Sequence, residues 1–238
     1  MRFQTPLIPA TLIRRYKRFL ADFRLDDGRE VTAHCANPGK MIGLNMPGLK
    51  IWVEPNDDPK RKLNYSWRLA SLDDGSMVGI DTSLPNKLVD EALAKKLVKP
   101  LADYPDVRRE VPYGDKSRVD FLLQGVGKPD VYLEIKNAHL RRTDDWAEFP
   151  DSVTARGARH MDELAEMVVQ GHRAVVLFVV QHTGCNRFRV SGDLDPKYAA
   201  AFEAARAVGV EVLVYDTIID TETVVLGKEI PLGSTLQT

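Results

Sequence analysis

Up to about residue 80 the apolar positions come in short runs, at residues 16–25, 30–35, 49–54, 63–72 and 77–80, separated by turn signals. Asp27-Gly28, Pro47-Gly48 and Asp74-Gly75 stand between those runs. Asp-Gly between two β-like runs marks a hairpin, because its tight turn needs positive φ, which glycine adopts without steric cost. Five short strands in so little chain predict a small closed barrel. The five-strand oligonucleotide-binding (OB) barrel is one such form; an SH3-like barrel or an irregular sheet fits the same pattern.

Around residues 82–86 the period changes. Leu88, Ala92, Leu93, Leu97 and Val98 recur at helical spacing, with Ser83 or Asn86 available as a cap. Three β-like runs follow, at 107–111, 118–123 and 131–135, then a helix over about 154–170 that Gly171 ends. Residues 174–180 are continuously apolar and β-branched, as a strand covered on both faces requires. A second helix over 196–208, closed by Gly209, and a strand over 210–215 complete the pattern. A meander followed by right-handed crossovers gives a mixed sheet flanked by helices. The expected organisation is therefore a barrel over 1–82 and an α/β (α+β) domain over 83–238.

Composition adds little. With 44% hydrophobic and 28% charged residues in 238, the chain is ordinary globular material. No apolar run approaches the ~20 residues a membrane span needs, and the first segment lacks the apolar core of a secretory signal. Cys35 and Cys185 lie too far apart for a metal knuckle and read as reduced thiols, so the expected compartment is the cytoplasm. Residues 1–85 carry 13 Lys and Arg against 10 Asp and Glu, the remainder 20 against 24. A mildly basic front joined to an acidic back suits nucleic-acid binding beside a metal site; scattered surface charge produces the same totals.

The chemistry concentrates in two consecutive runs. Asp120 follows Ser117-Arg118-Val119, and Glu134-Ile135-Lys136 lies inside the next run. Residues two apart on a strand share a face, so Glu134 and Lys136 point together and Ile135 points away. If the two strands are neighbours, Asp120 approaches Glu134, and two close carboxylates repel unless a cation lies between them. Mg²⁺ or Mn²⁺ fits such a pair, since hard cations accept a few carboxylates plus water and phosphate oxygens. Lys136 would then orient or deprotonate an attacking water, or neutralise the phosphate. Glu-x-Lys is a common tripeptide, and a solvated pair on an edge strand reads the same way. Glu110, in the preceding run, is a candidate third carboxylate or simply an exposed strand residue.

Several cations are candidates for phosphate. On the helix over 154–170, Arg156 and His160 are i,i+4 neighbours near its start, where backbone N–H groups bind anions. Asp151 precedes that helix and could cap it. Arg118 precedes Asp120, and His139 follows the Glu-x-Lys run. In the front half, Arg14-Arg15-Tyr16-Lys17-Arg18 alternates cations with a ring, which suits phosphate contact with base stacking and equally suits a charged edge strand. Asn37-Pro38-Gly39-Lys40-Met41 reads as a turn whose amides, with Lys40, could hold a phosphate. Trp52 and Trp67 read as core.

Asp120 followed by Glu134-x-Lys136 on consecutive strands resembles the PD-(D/E)xK phosphodiesterase motif, with Val119 in place of its usual proline. The surrounding text is similar to the sugar fermentation stimulation protein A family. It matches at Arg15–Asp22 in the front, at Thr32-Ala33-His34-Cys35-Ala36-Asn37-Pro38-Gly39-Lys40-Met41, at Arg109-Glu110-Val111, at Phe149-Pro150-Asp151 and at Thr154–His160. That resemblance runs over nearly the whole chain. It implies an OB-like first domain, a restriction-endonuclease-like second domain, and binding to DNA without strong sequence preference. It also implies a regulatory link to sugar (maltose) metabolism. Metal binding does not require turnover: a nuclease acting on DNA or RNA, a non-catalytic DNA-binding regulator and a small-molecule phosphatase all fit the motif. The oligomeric state is left open, a homodimer included.

Overall fold

The computed structural model describes residues 1–114 and 117–236. Strands β1 (Ile8–Tyr16), β2 (Leu20–Leu25), β3 (Glu30–Cys35), β4 (Lys50–Pro55), β5 (Tyr65–Ser71) and β6 (Met77–Gly79) form one sheet in the order β3-β2-β1-β4-β5-β6. The parallel pairing of β3 with β5, at His34↔Ser66 and Cys35↔Trp67, closes its first five strands into a ring. The circuit β1-β2-β3-β5-β4 is that of the OB barrel. Its interior holds Leu12, Phe23, Cys35, Met41, Ile51 and Trp67, nearly all without solvent contact.

The expected single run over 16–25 is two strands. Tyr16 pairs with Leu20, and Lys17 and Arg18 lie in the turn between them with φ 48 and 63. β1 begins at Ile8, in a segment whose prolines hide its strand character. Pro9 is tolerated there because β1 starts at that end.

The second half opens with α1 (Leu84–Ala94). A sheet follows in the order β14-β13-β11-β9-β8-β7, built from β7 (Asp106–Tyr113), β8 (Ser117–Gln124), β9 (Val131–Ala138), β11 (Arg173–Val180), β13 (Glu211–Ile219) and β14 (Val224–Glu229). β7-β8-β9 is an antiparallel meander; β9, β11 and β13 are parallel, and β14 returns antiparallel. Crossovers pass through α2 (Ala155–Val169) and α3 (Pro196–Val208). A separate parallel pair, β10 (Trp146–Phe149) with β12 (Arg187–Val190), flanks them. Apolar runs do not mark β10, β12 or β14, whose charged residues interrupt any hydrophobic period.

The sheet is covered on both sides, and β11 shows why its sequence is uniformly apolar. Val175, Leu177 and Val179 pack toward α1, while Ala174, Val176, Phe178 and Val180 pack toward α2 and α3. Burying such side chains stabilises by roughly 1.5–3 kcal/mol each. The α1 side continues into Leu69 of the barrel and Phe3 of the N-terminal segment, so this cluster reaches across the seam between the two halves. Backbone bonds reinforce that seam: Gly79 N donates to Gln181 O (2.9 Å) and Thr183 N to Met77 O (3.0 Å). Among the described residues no helix is long and apolar enough to cross a membrane.

Candidate functional site

A cleft of about 970 Å³ opens where the barrel meets the mixed sheet. Arg15, Arg18, Asn37, Gly39 and Lys40 line its barrel wall; Asp120, Glu134, Lys136, Arg156 and His160 line the opposite one.

The acidic residues arrive there by strand register. The pair Phe121↔Leu133 places Asp120 opposite Glu134 on the neighbouring strand. Ile135 packs on the α1 side, which turns Glu134 and Lys136 to the α2 side. There α2 supplies His160. Thr154 caps the helix by accepting from Gly157 N (3.0 Å), and its apolar face buries Met161, Leu164 and Met167. His160 rides the same face one turn earlier and is 3% exposed.

Asp120 is fully engaged: Oδ1 accepts from Asn86 Nδ2 and Oδ2 from the Ile135 amide, each at 2.7 Å. Burial, then the neighbouring charge of Glu134, push its pKa up to about 6. Glu134 is 3% exposed. Burial works to raise its pKa, but the Lys136 ammonium and the His160 bond outweigh it and hold the carboxyl below its ordinary range. Lys136 Nζ donates to Glu134 Oε1 (2.7 Å), and His160 Nδ1 bonds the same oxygen. His160 Nε2 accepts from Arg156 Nε (3.1 Å), which assigns the proton to Nδ1 and makes His160 a donor to Glu134.

One oxygen remains. Glu134 Oε2 is buried and has no hydrogen-bond partner. An unpaired buried carboxylate oxygen is costly, roughly 1–3 kcal/mol, more when charged. Its neighbour Asp120 carries a pKa raised by burial and by the Glu134 charge. Both observations describe a place that a divalent cation would fill, and two carboxylates with water and phosphate oxygens are an ordinary donor set for Mg²⁺. Among the described residues no group of three His, Cys, Asp or Glu side chains converges on one point. Glu110 accounts for the missing third. It is exposed on β7 at φ 52, its carbonyl accepts from Arg118 Nη1 (2.7 Å), and neither residue lines the cleft.

The remaining candidates divide. Arg18, Lys40 and Arg156 are exposed and line the cleft; Lys17 is exposed but outside it. Arg15 is turned inward, its Nη2 donating to the carbonyls of Arg18 (2.8 Å), Asn37 (2.7 Å) and Gly39 (3.0 Å). It staples the 37–40 turn to the barrel. That turn does not offer two of its amides to a phosphate: Gly39 N is held by Asn37 Oδ1 (2.9 Å) and Met41 N by Asp151 Oδ2 (3.0 Å). Asp151, expected to cap α2, bridges to the barrel instead. Tyr16 donates to Asp22 (3.1 Å) and lies under Arg14, so it is no free ring.

Two residues escaped the sequence reading. Asn86, weighed only as a helix cap, fixes Asp120, while Ser83 at the N-cap position makes no capping bond. Gln181 ties Asn137 (2.6 Å) to the Asp81 carbonyl (3.1 Å) across the seam. Beside them His139, held to Asn137 (2.8 Å), and His182 are kept below the ordinary histidine pKa, chiefly by burial, His182 at about 4. No sequence signal marks the Asn86 and Gln181 contacts, because each joins segments far apart in the chain.

A closed OB barrel, a restriction-endonuclease-like α/β sheet and a cleft at their seam define a two-domain class of protein. The model for the sugar fermentation stimulation protein RE domain matches residues 83–223, and that for the SfsA N-terminal OB domain matches 13–80. A sugar fermentation stimulation protein homolog of Dinoroseobacter shibae is 61% identical over all of this chain and 98% of its own. One from Paramagnetospirillum magneticum is 47% identical, over 99% of each. The solved structure of Pyrococcus furiosus SfsA in complex with Ca²⁺ superposes with a TM-score of 0.87 at 27% identity, over 98% of both chains. This chain belongs to the sugar fermentation stimulation protein family.

Proposed function

We propose that this protein binds DNA, or RNA, along the seam cleft, with a divalent cation of the Mg²⁺ or Mn²⁺ kind held by Asp120 and Glu134. The observation that carries the reading is the unpartnered Glu134 Oε2 beside Asp120, in a cleft that Arg18, Lys40 and Arg156 flank from both walls. That the Pyrococcus furiosus relative was solved with Ca²⁺ supports a cation-binding fold. When bound, the cation would neutralise phosphate charge and make water more acidic.

The protein's own groups supply the rest. Arg18 and Lys40 hold backbone phosphates from the barrel side. Arg156 does so from α2 while positioning His160, and His160 fixes the Glu134 carboxylate through its Nδ1 proton. Lys136, anchored on Glu134, has a side chain 11% exposed and lines the cleft with its ammonium held at that carboxylate. That placement favours a second reading, phosphodiester cleavage, because the ammonium can orient a water or stabilise charge on the phosphate. DNA binding would also supply the regulatory link to sugar (maltose) metabolism that the resemblance implies.

Calorimetric titration with Mg²⁺, Mn²⁺ and Ca²⁺ tests the cation; binding that Asp120→Asn and Glu134→Gln both abolish is expected. Labelled DNA and RNA, with each cation or EDTA, test the partner and the cut. Affinity should fall steeply with salt, since phosphate contacts release counterions. Wild-type protein that binds neither cation nor nucleic acid ends the proposal. Wild type that binds nucleic acid but cuts none of it with any of the cations ends the second reading, and cuts that survive Lys136→Ala remove the lysine from it.

A further inference from the structure

Outside the cleft, the barrel exposes rings where folding has no use for them. Phe23 and Trp67 are wholly buried, whereas Phe19 is 46% exposed. It stands beside His34, also exposed. The pairing Leu20↔His34 and the bond from Cys35 N to Phe19 O (2.8 Å) hold the two in place. Their planes are 16° apart and their centroids 6.3 Å.

Cations surround this pair. Lys17 and Arg18 occupy the β1–β2 turn on one side. On the other, Arg61 and Lys62 of the β4–β5 loop join His34 and Ser66 around a hollow of about 490 Å³. Among the described residues none of these four cations forms an ion pair, although the chain makes many elsewhere. The turn itself is strained: Lys17 and Arg18 both take positive φ, where asparagine or glycine would be preferred. Strain retained with cations at the strained positions points to a role in binding.

The platform adjoins the cleft. Arg18 lines the cleft and is next to Phe19; β3 leads from His34, at the hollow, to Asn37 in the cleft wall. A chain of phosphates joining the two would have Arg61 and Lys62 at the hollow and Arg18 and Lys40 in the cleft to meet it. Ring faces can stack only on bases whose own faces are uncovered, which paired bases inside a duplex do not offer.

We infer that the Phe19–His34 face is a stacking platform for unpaired bases, so that the nucleic acid entering the cleft is single-stranded where it crosses the barrel. This rests on the nucleic-acid reading proposed above and specifies its substrate. Each stacked base raises affinity roughly 5- to 150-fold.

The test is fluorescence anisotropy of the full chain with labelled oligo(dT), oligo(U) and a duplex of equal length. Wild type is expected to bind a single strand more tightly than the duplex, and the two single strands show whether DNA or RNA is preferred. Phe19→Ala with His34→Ala should lose at least about tenfold on the single strand and less than about twofold on the duplex. Both residues are exposed, and unchanged thermal melting confirms an intact fold. Phe19→Trp should retain binding, with indole fluorescence quenched by the oligonucleotide. If the double variant loses nothing, or loses equally on both forms, the platform is refuted while nucleic-acid binding stands. Wild type that binds none of the probes overturns both.

Discussion

Arg18 offers a test in which stability and binding should move in opposite directions. It sits at φ 63, with the Phe19 amide donating across it to the Lys17 carbonyl (2.8 Å), a γ-turn of the rarer hand. A side chain in that region crowds its Cβ against a carbonyl oxygen, at about 1–2 kcal/mol. Glycine removes the crowding but loses more freedom on folding, about 0.5–1 kcal/mol relative to alanine. Arg18→Gly is therefore expected to leave the fold as stable or to stabilise it by about 0.5–1 kcal/mol. For a chain of this size, 1 kcal/mol moves Tm by about 2–4 °C. The Arg18 carbonyl that receives Arg15 remains, so the 37–40 turn keeps its staple. The same substitution deletes a cation that lines the cleft. Losing one phosphate contact should lower the slope of log K against log salt by about 0.7–0.9. Thermal melts and anisotropy titrations over a salt series measure both. A variant that melts several degrees lower shows that the turn is not strained. A wild-type salt slope shows that Arg18 does not touch phosphate.

Other outcomes follow from the seam and the acidic pair. A Cβ on Gly39 would lie 2.5 Å from Asp151 Oδ2, so Gly39→Ala should displace Asp151 from the Met41 amide and cost about 1–3 kcal/mol in urea unfolding. The pKa of His182, lowered from 6.5 to about 4, means the unfolded chain binds its proton more readily between those values. Stability from this group is complete above pH 6.5 and is lost as pH falls toward 4, on the order of 3 kcal/mol; His182→Asn should flatten that dependence in melts across pH. Asp120 acts in the opposite sense: raised from 3.8 to about 6, it favours the folded state as pH falls through that range, and Asp120→Asn should remove that gain. Mg²⁺ at about a hundredfold its Kd should stabilise wild type by about 2.7 kcal/mol and leave Asp120→Asn unmoved; an equal rise in both would exclude the pair as its site.

The legible part of the fold was periodic. β11 and the two long helices were readable because an uninterrupted apolar run or a 3.6-residue repeat survives without knowledge of neighbours. β1, β10, β12 and β14 were not, since Pro9, Arg187 with Arg189, and Lys228 sit where solvent or ion pairs rather than core face them. In the site, the spacing Glu134-x-Lys136 and the succession of strands placed three groups together, because strand geometry alone puts alternate residues on one face. Arg15 and Asp151 were misjudged for the converse reason. Each is a charged residue in a segment that looks exposed, and each is spent on a contact with a distant turn.

The sequence by itself determined a barrel-then-sheet order, the acidic pair with its lysine, and membership of a recognisable family, all carried by local periodicity and short motifs. Tertiary structure alone decided that the barrel forms one wall of the acidic cleft, that His160 faces Glu134, that Asn86 holds Asp120, and that Glu110 stays outside. Those are contacts across the seam or between a helix and a sheet. They depend on how two layers pack against each other, which no spacing within a single segment encodes.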